Sequence, residues 1–136
     1  MQSQPITEAR VIELWRHGIA RYGGDQTERE SDPGCVEKSI SASINGAYYL
    51  SEGAEVNPLH LAGLLLFYLV RNHCFLDGNK RVGWMAAVEV LLTDDIVVCA
   101  EEEEVVQFVL EIASGQRARD SVIDWFGNDG RLTARQ

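Results

Sequence analysis

Apolar residues return with helical rhythm along most of the chain, and turn-forming residues interrupt that rhythm at a few places. In "ITEARVIELWRHGIARYGG" the residues Val11, Leu14, Trp15 and Ile19 share one face, Thr7 stands where an N-cap belongs, and Gly23-Gly24 ends the run. The polar, aperiodic "DQTERES" at 25–31 reads as a surface loop. Asp32 as a cap and Pro33 at the first helical position, where its missing N–H costs nothing, open a second helix that runs to about Leu50. The same device, Asn57 followed by Pro58, opens "NPLHLAGLLLFYLVRNH", a helix apolar nearly all round and therefore central. "RVGWMAAVEVLL" is again apolar on most faces. "DDIVVCA" predicts a short strand or extended link, "EEEEVVQFVLEIASG" a helix closed by Gly115, and "RDSVIDWFG" a last short helix. The pattern predicts an all-α fold, one domain over residues 1–136, with no internal repeat or low-complexity tract.

Composition narrows the function. A formal net charge of −9 with scattered Lys and Arg excludes the clustered basic footprint that nucleic-acid binding needs. The glutamates at 101–104 suit a helix N-terminus, where the backbone dipole favours negative charge. No stretch is long and uncharged enough to span a bilayer or act as a secretory signal, so a soluble cytoplasmic protein without membrane partners is expected. Cys35, Cys74 and Cys99 make no metal-binding spacing, and an odd, scattered count predicts reduced thiols, with Cys74 a small buried filler. His17 and His60 lie on predicted helices without companions and read as structural.

Chemistry concentrates in "HCFLDGNKR", residues 73–81, between the two most apolar helices. The first N–H groups of the helix that follows have no intrahelical partner and carry partial positive charge. Gly78 permits backbone conformations closed to other residues, and with Asn79 it can aim successive amides at one anion. Lys80 adds a mobile point charge and Arg81 a planar fork for two oxygens. Cations in a first helical turn oppose the dipole, and a bound polyphosphate would resolve that conflict. Asp77 can ligate Mg2+, which takes only one or two protein carboxylates. His73 can remove a proton from an attacking hydroxyl. The same residues have plainer readings: Asp77 as an N-cap, Gly78-Asn79 as a turn, the cations as solvated. His73 and Asp77 would form an i, i+4 zinc pair only if 73–77 were helical.

"HCFLDGNKR" resembles the signature of the Fic/Doc family, whose common form is His-Pro-Phe, two residues with the second acidic, then Gly-Asn-Gly-Arg or Asn-Lys-Arg. The lysine form, with Trp84 rather than arginine three places after Arg81, is similar to the Doc, or death-on-curing, branch. "IARYGG", "SDPG" and "VRNH" are also Doc-like, so the resemblance covers most of residues 10–95. It implies a compact Fic fold of about six helices with the motif on its central helix. The activity it implies is an ATP-dependent transfer to a hydroxyl of a protein. Fic enzymes transfer the nucleotide monophosphate; Doc-type members transfer the terminal phosphate, in Doc to a threonine of elongation factor Tu, which stops translation. By motif position His73 would be the base, Asp77 the Mg2+ ligand, and Gly78, Asn79, Lys80 and Arg81 the phosphate clamp. Phe75 would anchor the loop, and Arg21 would face the site from the first loop. A small, partly disordered antitoxin would be the partner. Two positions depart from the pattern: Cys74 replaces the common proline, and Gly78 follows the Fic form where the best-known Doc has alanine. An AMP transferase and a non-catalytic binding module on the same scaffold are the competing expectations.

Overall fold

The computed structural model describes residues 5–25, 34–52, 55–127 and 131–134. Among them six helices run in the order α1 (Glu8–Tyr22), α2 (Cys35–Leu50), α3 (Pro58–Asn72), α4 (Asn79–Thr93), α5 (Glu102–Ala113) and α6 (Arg119–Phe126). Two three-residue strands, β1 (Ile96–Val98) and β2 (Leu132–Ala134), accompany them. The expected mostly helical architecture is present.

Local chemistry accounts for most boundaries. Thr7 accepts a hydrogen bond from the Arg10 amide, and Ile6 and Val11, the staple positions around that cap, are both buried. Asn57 accepts from the Leu59 amide at 2.9 Å, with Pro58 opening α3. The expected cap Asp32 and the expected first helical residue Pro33 lie outside the described residues; α2 begins at Cys35 with Gly34 in the cap position. Glu102, Glu103 and Glu104 occupy the first turn of α5 as the dipole argument requires.

Helix α3 is the hub: it packs against α4, α2, α6 and α5. Its Leu64, Leu65, Leu66, Leu69 and Val70 are all but inaccessible, and complete burial of each such side chain contributes about 1.5–3 kcal/mol. Phe108 stacks on Trp125 at 4.1 Å, and Trp84 meets Trp125 edge-on and lies over Phe126, which joins α4, α5 and α6. On the outside Arg10 of α1 grips Glu89 of α4 through both carboxylate oxygens at 2.8 and 2.9 Å. The Glu89 and Glu13 carboxylates raise the Arg10 pKa. Strand β2, which no alternation announced, pairs antiparallel with β1, Val97 opposite Thr133.

One expectation is overturned: Cys35 and Cys74 form a disulfide, with Cα atoms 5.5 Å apart. The pairing partners lie 39 positions apart, on α2 and in the loop after α3, and only the packing of those helices brings them together. Closing a loop of that length restricts the unfolded chain by about 4 kcal/mol in the chain-entropy account. Cys99 is exposed and outside this bond.

Candidate active site

Helix α3 ends by placing His73 in the left-handed region, φ 50° and ψ 54°. Outside glycine that conformation costs about 1–2 kcal/mol, and it turns the chain out of α3 so that the exposed His73 leads into a short loop. Phe75 is the loop's buried anchor, stacked on Trp15 of α1 with ring centres 4.6 Å apart. Asn79 holds the loop from the other side. Its Nδ2 donates to the Phe75 carbonyl at 2.7 Å and its Oδ1 accepts from the Phe75 amide at 3.1 Å. The Asn79 side chain therefore shapes the loop, and what Asn79 can offer an anion is its backbone N–H.

Gly78, at φ 81°, is the N-cap of α4, and no side chain caps this helix. The first helical bond, Val82 to the Gly78 carbonyl, leaves the amides of Asn79, Lys80 and Arg81 without intrahelical acceptors. A side chain at Gly78 would strain the backbone and press within 3.3–3.4 Å of Trp15 and Ile19. Asp77 precedes this turn. Its carbonyl accepts the Trp15 indole N–H at 2.8 Å, Oδ1 accepts from the Gly78 amide at 2.8 Å, and Oδ2 accepts from the Asp25 amide at 3.3 Å. These bonds leave lone pairs on an exposed carboxylate.

The cations differ. Lys80 is exposed in the first turn of α4, at the rim of a groove of about 230 Å³ floored by Trp84, Val105, Val109 and Leu110. Arg81 reaches back to α1, where Nη1 donates to the carbonyls of Gly18 at 3.2 Å and Gly23 at 3.4 Å and the guanidinium lies 5.0 Å over the Tyr22 ring. The C-terminus of α1 carries partial negative charge, so the Arg81 cation has a structural home there. Arg21, expected in the first loop, instead belongs to the last turn of α1, and its Nε donates to Tyr22 Oη at 3.1 Å. Tyr22 thus lies beside both arginines.

Residues 73–77 are not helical, which removes the zinc-pair reading. Among the described residues no three His, Cys, Asp or Glu side chains gather as a metal cage. A single exposed carboxylate next to an uncapped helix start suits Mg2+ carried in by phosphates, since that ion keeps waters and takes few protein ligands.

The structure therefore sets His73, Asp77 and Gly78 in the loop between α3 and α4 and Lys80 and Arg81 in the first turn of α4, with Arg81 against the end of α1 and Asp77 against Trp15 and the Asp25 amide. Residues 5–91 match a family model described as the Fic/DOC family. The chain belongs to the Fic/DOC family. The match takes in α1, α2, α3, the whole loop and most of α4. Fic/DOC membership makes this a Fic-type transferase in general terms, a class that moves nucleotide-derived groups onto proteins. Comparison with curated proteins gave no match. In this Fic/DOC chain Phe75 is the anchor that the motif implies, whereas its stacking partner Trp15 shows in the sequence only as an apolar face residue and the contacts of Cys35 and Tyr22 with the motif leave no local signal. Among the described residues no helix is long and apolar enough to cross a membrane.

Proposed function

We propose that the protein is a Doc-type phosphotransferase that moves the terminal phosphoryl group of ATP onto a hydroxyl of a protein. His73 accepts the hydroxyl proton while the hydroxyl oxygen bonds to the terminal phosphorus, and the bond from that phosphorus to the ADP oxygen breaks. Asp77 would hold Mg2+, which would neutralise phosphate charge. The α4 amides after Gly78 and the Lys80 and Arg81 cations bind the phosphate oxygens, Arg81 leaving the Gly18 and Gly23 carbonyls as it turns to them.

The observation that carries the kinase reading over AMP transfer is Trp84. One turn beyond Arg81, where the adenylylating pattern has a second arginine, its ring packs with Trp125 and Phe126 and offers no charge. Gly78, the form found in adenylylating members, favours AMP transfer as the second reading. The likeness to Doc further supports elongation factor Tu as the target, a block of translation as the outcome, a small antitoxin as partner, and the cytoplasm as the setting.

Incubation with a cell extract and ATP labelled at either the α or the γ phosphate tests this. The γ label should appear on protein. The α label there would establish AMP transfer instead, and calorimetry showing no binding of ATP with Mg2+ would leave only a binding module.

A further inference from the structure

We infer that the Cys35–Cys74 disulfide is a redox-responsive clamp on His73, so that a small dithiol reductant lowers the activity by releasing it. The inference rests on the reading of His73 as base.

The two residues beside His73 are both tied to one face of α2. Cys74 is bonded to Cys35, and the Asn72 side-chain Nδ2 donates to Ser39 Oγ at 2.8 Å. Cys35 and Ser39 stand one turn apart, with Ser39 Oγ donating to the Cys35 carbonyl at 2.9 Å. Crossed contacts complete the set: Cys74 Sγ lies 3.8 Å from Ser39 Oγ, and Cys35 Sγ 3.9 Å from the Asn72 carbonyl. His73, held between these ties at φ 50°, has the left-handed backbone that non-glycine residues keep only where their surroundings dictate it. Of the ties, the disulfide is covalent and reversible. In the exchange the protein disulfide becomes two cysteine thiols while the dithiol becomes its own disulfide, two electrons and two protons passing to the protein. Of the two ties that flank His73 on α2, the hydrogen bond from Asn72 to Ser39 then remains.

The test uses the intact 136-residue chain with labelled histidines, oxidised by glutathione disulfide or reduced by dithiothreitol. Alkylation of the unfolded chain should modify only Cys99 in the oxidised sample and all three cysteines in the reduced one. The imidazole resonances of His73 should move or broaden on reduction, while those of His17 and His60 stay in place. Phosphoryl transfer should fall by roughly tenfold or more, the scale expected when a catalytic group loses its position. Cys35→Ser should match the reduced protein and ignore dithiothreitol; if it does not fold, the wild-type comparison decides alone. Alkylation of Cys35 and Cys74 after oxidation, an unmoved His73 signal, or three histidines shifting together would each overturn the clamp. Absent transfer in both redox states with a moving His73 signal would instead remove the base reading and leave the clamp standing.

Discussion

Trp15 donates its indole N–H to the main-chain carbonyl of Asp77 at 2.8 Å, a bond that joins the middle of α1 to the loop 62 positions later. The same ring stacks on Phe75, so one side chain fixes the loop at two points. Trp15→Phe keeps a stacking ring and loses the donor. Losing that bond, which is only partly buried, should lower stability by about 0.5–1.5 kcal/mol, seen in chemical denaturation. Affinity for Mg2+ with ATP, measured by calorimetry, should fall as well, because the Asp77 carboxylate sits on the freed peptide.

His73 carries a conformational cost that separates its two roles. His73→Ala should leave ATP affinity unchanged and remove roughly two to four powers of ten in rate, the range for a general base. His73→Gly should be equally inactive and more stable than His73→Ala by about 1 kcal/mol, because glycine accepts φ 50° without penalty. Equal thermal midpoints for the two variants would contradict the strain, and retained turnover in either would contradict the base.

These cases show what was legible beforehand. Helix α3 announced itself through an Asn-Pro start and an apolar surface, and the loop from His73 to Arg81 was visible because its chemistry is contiguous in the chain. The contacts that give the loop its shape are not contiguous. Trp15 finds Asp77, Cys35 finds Cys74 and Ile96 finds Ala134 only after helices have packed, and no local pattern encodes such meetings. Arg81 is the instructive middle case. Its position against the α4 dipole pointed to a phosphate, yet part of the answer is the C-terminus of α1, which accepts the same charge.

Arg81 is accordingly expected to matter twice. Arg81→Ala removes two hydrogen bonds to α1 carbonyls and a cation–π contact with Tyr22, and it should cost about 1–2 kcal/mol of stability. It should also weaken ATP binding with a smaller change in maximal rate. Arg81→Lys should restore little of either, because a compact ammonium lacks the flat guanidinium that lies over Tyr22 and the fork that grips two phosphate oxygens. Melting curves and calorimetry on the two variants separate the effects.

Glu111 supplies a small acid-dependent contribution. Hydrogen bonds from Arg117, then from Gln107, hold its carboxyl below the usual carboxylate range. A depressed folded pKa means stability that is present above the unfolded value and lost as pH falls through the folded one. The loss therefore belongs to strongly acidic solution. Glu111→Gln should reduce the acid sensitivity of the thermal midpoint there, modestly, because the half-buried pair still meets screening solvent. Arg117 also lies 5.0 Å over the Phe108 ring, so Arg117→Ala should be the more damaging change even at neutral pH.

At Gly63 the backbone of α3 lies close against that of α6. A Cβ built there would lie 2.9 Å from Ile123 Cα and 3.4 Å from Ile123 N, backbone atoms that cannot step aside without moving α6. In an open helix, glycine to alanine gains about 1 kcal/mol of propensity. Here the forced separation should cost about 1–3 kcal/mol and reverse the sign. Gly46 supplies the comparison, because the nearest atoms to its added methyl would belong to the Leu64 side chain, Cδ1 at 3.0 Å, and not to backbone. Gly63→Ala should thus melt below wild type and below Gly46→Ala. If Gly63→Ala instead melts higher, α6 is free to shift, and the aromatic contacts of Trp125 and Phe126 with Trp84 do not hold it against α4.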